Sequence, residues 1–199
     1  DLFGKVRENM DALLDAGIPF KLNAVAMRGF NDDELPAFID YAMRHPIDVR
    51  FIEFMPMGEG TRWSDSCFWS APDILDAVKG LVAVAPVEQE QRNGGPARLY
   101  TLSGPDGPGL GRLGLISPLS SHFCTSCNRL RITSDGALRT CLFDDREYRL
   151  RNALRHPKLG IEAVRRIVTL ATRDKPIGAR LLERRHNAVA QRRMTAIGG

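Results

Sequence analysis

No apolar run in the sequence approaches the roughly 18–20 residues that a bilayer-spanning helix needs, so no membrane helix and no membrane partner is expected. Cysteine is scarce, with four in 199 residues, three of them between positions 124 and 141. That excludes the dense, even disulfide framework of a small secreted domain and fits a reducing, cytoplasmic setting. Aromatic residues make up 7% of the chain, and none follows Tyr148, although the C-terminal stretch is rich in arginine. This argues against a stacking platform for single strands, and no nucleic-acid partner is expected on the leading reading. The opening "DLFGKVRENM" has no initiating Met, no apolar signal region and no small-residue cleavage site. It reads as the middle of a helix, and the expectation is that polypeptide precedes residue 1.

What is present is the composition of an ordinary globular protein with a core, 43% hydrophobic and 26% charged, enough for one domain or two small ones. The net charge of +4 is unevenly spread: from Arg146 to Arg193 there are 14 Lys or Arg against four Asp or Glu. Such a bias suits an anionic partner, or else a solvated helical face. Leu2, Val6, Met10, Leu13 and Leu14 recur at helical spacing up to Gly17, "FKLNAVAM" (20–27) reads as a strand, and "ELPAFIDYAMRH" as a helix capped by Asn31 or Asp32. "DVRFIEFMP" (48–56) is a second strand, so the two strands should be parallel neighbours. Beyond residue 58 the order changes. A short helix, "APDILDAVKGL", and three strands, "VAVAPVEQ", "ARLYTL" and "GRLGLISP", read as a small antiparallel α+β module, followed by a helical tail from 146 to about 193.

Cys124-x2-Cys127-x13-Cys141 is the strongest chemical signal. A C-x2-C pair aims two thiolates at one metal, and a third from a nearby hairpin makes three soft ligands. A disulfide and unligated core thiols are the other readings. Spacing alone does not separate iron–sulfur from zinc. Cys67, in "CFW", and His122 are candidate fourth ligands, and Cys67 equally suits a buried apolar thiol. By strand alternation Cys127, Arg129 and Arg131 point one way, with Leu130 and Ile132 facing the core. The two guanidinium groups either balance thiolate charge or form a fork-shaped clamp for an anion or nucleobase. In the turn "SDGA", a three-residue loop with left-handed Gly136 pairs Arg131 with Cys141 and brings the three thiols together.

The stretch "FCTSCNRLRITSDGALRTCL" closely resembles the C-terminal cluster motif of the radical SAM GTP 3′,8-cyclases of molybdenum cofactor biosynthesis. "FKLNAVAMRGFNDDE", "VRFIEFMPMG", "GLISPLSSHFC" and the terminal "IGG" agree in the same order, so that the similarity covers nearly the whole chain. The fold it implies is α/β: the C-terminal units of a partial TIM-type (βα) barrel in residues 1–58, then a small α+β [4Fe-4S] and GTP-binding region with a helical tail in 59–199. It implies Cys124, Cys127 and Cys141 as ligands of a [4Fe-4S] cluster whose open iron holds guanine. Arg129, Leu130 and Arg131 match the GTP-contacting R-x-R, Lys21 in "FKLN" a lysine that contacts GTP, and Met55 in "RFIEFM" a residue at S-adenosylmethionine, with Arg50 near the cofactors. Gly198 and Gly199 match a terminal diglycine that reaches the active site, and are grouped with Arg129 and Arg131 as catalytic. From the residues alone, Lys21 is a solvated strand-edge lysine and Met55 core filler.

The same resemblance implies GTP and S-adenosylmethionine as partners, a homodimer as an admissible assembly, and a downstream cyclic pyranopterin monophosphate synthase. The family's second [4Fe-4S] cluster sits on a C-x3-C-x2-C motif that is not found in these residues. The chain is therefore expected to be inactive by itself, and poorly soluble or dependent on a partner. The alternative from another class is a zinc-stabilised nucleotide or nucleic-acid binding module using His122 with the three cysteines.

Overall fold

The computed structural model describes residues 1–58, 60–88, 95–184 and 196–197. They form two compact units, one of residues 1–54 with 65–121 and one of 55–64 with 122–199. In the first, α1 (Leu2–Asp15), β1 (Lys21–Ala26), α2 (Leu35–Arg44), β2 (Asp48–Glu53), α3 (Ala71–Lys79), β3 (Ala83–Pro86), β4 (Arg98–Gly104) and β5 (Gly107–Ile116) follow in order. The strands make one mixed sheet in the order β1-β2-β5-β4-β3. β1 and β2 are parallel neighbours, as their helix–strand alternation predicts, with Lys21 opposite Asp48 and Ala26 opposite Glu53. The three later strands do not form a module of their own. β5 lies parallel to β2, with Asp48 opposite Arg112, and antiparallel to β4, so the sheet is continuous. The run Leu113–Leu115 is buried, as a central strand paired on both sides requires.

Period-two alternation turns Val49, Phe51, Leu113 and Leu115 to one face, where α2 and α3 bring Leu35, Ile39, Ala42, Ile74 and Val78. Each large side chain in this core contributes about 1.5–3 kcal/mol. The capping expectation for α2 is corrected. Its N-cap is Glu34, which makes no side-chain cap bond, and Pro lies in its first turn. Asn31 and Asp32 instead build the preceding turn: Asn31 Oδ1 accepts the Met27 N–H (2.9 Å) and Asp32 Oδ1 the Gly29 N–H (2.7 Å). Glu53, 1% exposed at the end of β2, stitches this unit together. Its Oε1 accepts the Ala71 N–H (2.9 Å) and the Ser120 hydroxyl, and its Oε2 accepts the Leu119 and Ser120 N–H groups (2.8 and 3.0 Å).

The second unit holds a 3₁₀ turn (Cys124–Ser126), a ribbon of β6 (Arg131–Ile132) and β7 (Leu138–Arg139), then α4 (Leu150–Arg155), α5 (Gly160–Arg173) and α6 (Gly178–Arg184). Ala137, Leu138, Phe143, Ala153, Ala171, Ala179 and Ile197 are buried in it. The expected helical tail is present through Arg184, and residues 185–195 lie outside the described residues. Among the described residues no helix is long and apolar enough to cross a membrane.

Candidate functional site

The second unit gathers the three motif cysteines. Cys124 opens the 3₁₀ turn, which closes on the Cys127 N–H donating to the Cys124 carbonyl (3.3 Å). The chain then runs extended into β6. The loop of Ser134, Asp135 and Gly136 is three residues long, with Gly136 left-handed at φ +80°, as predicted. Thr133 closes it at once, its N–H donating to the Ala137 carbonyl (2.8 Å) and its hydroxyl accepting the Ala137 N–H (2.9 Å). That closure sets Arg131 opposite Arg139, not opposite Cys141, and the ladder ends before reaching Cys141.

The facing of this ribbon is also corrected. Leu130 and Ile132 are 40% and 54% exposed, while Leu138 and Arg139 of β7 are buried. A two-residue strand in a lone ribbon has no second sheet face to cover, so alternation in β6 selects no core side. Arg139 is wholly buried. It donates to the Asp144 carbonyl and pairs with Asp145 and Glu147 at 3.4 Å each, which fixes the loop after Cys141.

The segment joining α5 to α6 meets all three cysteines. A side chain on Gly178 would begin 2.9 Å from Cys141 Sγ, 2.9 Å from Phe143 Cδ2 and 3.7 Å from Cys124 Sγ. Two sulfurs therefore flank one spot that only glycine leaves open. Lys175 Nζ donates to Cys127 Sγ at 3.4 Å, and Arg129 Nε donates to the same sulfur at 3.5 Å. The Arg129 guanidinium lies 4.7 Å above the Phe123 ring, a cation–π contact.

These surroundings differentiate the thiols. Burial pushes Cys127 up, but hydrogen bonds from the Arg129 side chain and backbone, with its charge and the Lys175 bond, lower it to about 7. Cys141 is held up by burial and by Cys124 and Asp144, against the Phe143 N–H and Lys175. Arg131, half-buried, is lowered by burial and by Arg129, and held charged by Cys127 and Cys141. Thiolate is the ligand form of cysteine, so two cationic donors on one sulfur suit a metal-bound Cys127. Among the described residues, no three His, Cys, Asp or Glu side chains converge as a single metal ion requires. His122 is exposed.

The remaining predicted positions distribute as follows. Lys21 is exposed at the start of β1, and Arg50 is buried in β2. Register puts both on the sheet face opposite the core, with Asp48 and Arg112. Asp48 accepts from Arg50 (2.8 Å) and Arg112 (2.7 Å). Burial pushes its carboxyl up, but those two guanidiniums prevail and hold it below the usual range. Met55 is half-buried, its carbonyl accepting the Met57 N–H (2.8 Å). Cys67 belongs to the first unit, its carbonyl accepting the Arg28 N–H (3.0 Å). Gly198 and Gly199 lie outside the described residues. Lys175, Gly178 and Asp48 were not singled out by any motif.

A cysteine-rich turn flanked by arginines in one unit, and a mixed α/β sheet in the other, define a candidate metal-binding protein of the α/β class. The Molybdenum Cofactor Synthesis C family model matches residues 47–181, and the chain belongs to that family. It is 43% identical to a GTP 3′,8-cyclase of Alkaliphilus oremlandii over 98% of this chain and 57% of the relative. It is 41% identical to one of Syntrophomonas wolfei (86% of this chain, 51% of the relative) and 40% identical to one of Rhodobacter capsulatus (88% and 53%). The chain thus spans about half the length of the curated relatives it matches.

Proposed function

We propose that this chain is the cluster-bearing and nucleotide-binding part of a GTP 3′,8-cyclase, a radical SAM lyase of molybdenum cofactor biosynthesis. Residues 1–58 are then the last βα units of a partial barrel, whose sheet is extended by β5 before residues 122–199 supply the cluster region. The observation that supports this reading most is the meeting of Cys124, Cys127 and Cys141 around the 175–178 segment, with Arg129 and Arg131 beside them.

Cys124, Cys127 and Cys141 would hold a [4Fe-4S] cluster. When bound, a cluster with three protein ligands offers one iron with an open coordination position for a purine heteroatom. The protein's own part is orientation. Arg129 is steadied by Phe123 and by the sulfur it bonds, so its guanidinium is ordered before a ligand arrives. Cys127 and Cys141 favour the charged form of half-buried Arg131, whose planar fork has the shape to match a base edge or a phosphate. Arg50 is aimed by Asp48, and its Nε makes no hydrogen bond among the described residues. Lys21 would contact GTP, Arg50 would lie near the cofactors, Met55 would contact S-adenosylmethionine, and Gly198 and Gly199 would enter the site. The reaction this implies joins a ribose carbon of GTP to C8 of its own guanine. The chain has no C-x3-C-x2-C, so the radical-generating cluster has no ligands in it.

Anaerobic reconstitution with ferrous iron and sulfide tests the reading. A brown protein with about four iron and four sulfide per chain is expected. GTP binding should weaken by roughly 10- to 100-fold in R131A, since a bond to a charged group is worth ~1.5–3 kcal/mol. A colourless protein carrying one zinc, or GTP affinity unchanged when the three cysteines become serine, overturns it.

A further inference from the structure

A lysine ammonium has three N–H donors. Lys175 places all three on one short stretch: the Cys127 carbonyl (2.8 Å), the Cys127 sulfur (3.4 Å) and the Arg129 carbonyl (2.9 Å). Other cations of the tail pair with acids of their own neighbourhood, Arg165 with Glu162 and Arg173 with Asp174. Lys175 instead reaches a segment 48 residues away in sequence. The two carbonyl bonds fix the backbone on either side of Asn128. The third sits on the sulfur that Arg129 also donates to, at 3.5 Å. Three residues further on, Gly178 packs against the other two sulfurs, so the lysine is anchored by the same segment that walls the site.

We infer that Lys175 is a positioning residue of the cluster site, holding Cys127 and Arg129 in register and supplying the charged N–H that tunes the Cys127 sulfur as an iron ligand. The inference rests on the reading of the three cysteines as cluster ligands. A purely structural fastener would need only the two carbonyl bonds. A cation in contact with the ligand sulfur does more, because N–H···S bonds and positive charge favour the reduced, more negative cluster and raise its potential. The carbonyl bond to Arg129 links the same ammonium to the aim of the guanidinium.

The test compares the wild-type chain, K175M and K175R after anaerobic loading with ferrous iron and sulfide. Readouts are iron and sulfide per chain, the midpoint potential from an EPR-monitored redox titration, and GTP affinity by equilibrium dialysis. K175M should load as wild type does, with a lower midpoint potential and GTP affinity reduced fivefold or more. K175R, which keeps charge and donors, should recover most of both. Should K175M fail to load, a K175R chain that loads and titrates like wild type supports the inference. A K175R chain as defective as K175M in every readout overturns it. Loaded K175M with wild-type potential and wild-type GTP affinity overturns the inference alone. A wild-type chain that takes up no iron overturns the cluster reading and this inference with it.

Discussion

Replacing Glu53 with glutamine keeps the shape of a 1% exposed side chain but turns one carboxylate oxygen into a donor. Three backbone N–H groups converge on that carboxylate, from Ala71, Leu119 and Ser120, together with the Ser120 hydroxyl. The less costly amide orientation keeps the oxygen on Leu119 and Ser120 and sets the NH₂ against the Ala71 N–H. One buried donor is then unmade, at ~1–3 kcal/mol, and two bonds fall from charge-assisted to neutral, at about 1 kcal/mol each. The opposite orientation orphans two N–H groups and is worse. E53Q should therefore destabilise the first unit by roughly 3–5 kcal/mol, and E53A, which orphans all three N–H groups, by more. Trp69, 4% exposed and two residues before Ala71, reports on that unit. In a W63F background it is the sole tryptophan, and urea unfolding followed by its fluorescence gives the number. An E53Q chain within about 0.5 kcal/mol of its parent, as for an ordinary surface change, would refute the reasoning.

Asp48 has a folded pKa below its ordinary value, so it contributes stability above pH ~4 that is lost as pH falls through the folded value. D48N, which leaves Arg50 buried without its partner, should cost about 3–5 kcal/mol near neutral pH and less in acid; urea midpoints showing the same loss at both would contradict this. In the metal-free chain, Cys127 should be alkylated by iodoacetamide with a half-maximal rate near pH 7, ahead of Cys141, and R129M should move that midpoint up. Peptide mass spectrometry after a short pulse reads both. G178A puts a methyl 2.9 Å from Cys141 Sγ and Phe143 Cδ2. It should lower the thermal midpoint by the equivalent of ~1–3 kcal/mol of overpacking and reduce iron uptake; normal melting with full loading would show that the spot yields. On the proposed function, R131A should weaken GTP more than ATP, whereas K21A should weaken both alike, as competition binding with the two nucleotides can check.

Periodicity made α1, β1, α2, β2 and α3 legible: α2, α3 and β2 bury a stripe or a face against a core much larger than themselves, whereas α1 has no fully buried residue and packs Leu14 against that core from its last turn. The Gly136 turn was legible too, since a left-handed position in a short hairpin loop selects glycine. The facing of Leu130 and Ile132 was not. Alternation carries information only where one side of a strand is covered, and β6 is two residues of a lone ribbon. Nor was the place of β5, whose apolar run fits an antiparallel neighbour and a parallel one equally well. At the site, the cysteine spacing and the arginines stood out in the sequence. Lys175 was hidden among 14 basic residues of the tail, and Gly178 carries no motif. Their roles exist only through contacts with residues far off in sequence, 46–48 residues away for Lys175, which local pattern does not encode.

The division expected between R131A and K21A follows from how the cations of each unit are engaged. Arg129 and Lys175 both donate to the Cys127 sulfur, and Arg131 lies within the electrostatic reach of Cys127 and Cys141. On the proposed function these cations are turned toward the sulfurs and not toward a triphosphate. What remains is shape and donor geometry, which a base edge can use and a diffuse charge cannot. In the first unit Arg50 and Arg112 pair with the one carboxylate of Asp48, and Lys21 stands opposite Asp48 on the same sheet face. On the proposed function, a face with that surplus would attract phosphate whichever base it carries, and the arginines beside the cysteines would distinguish the purine.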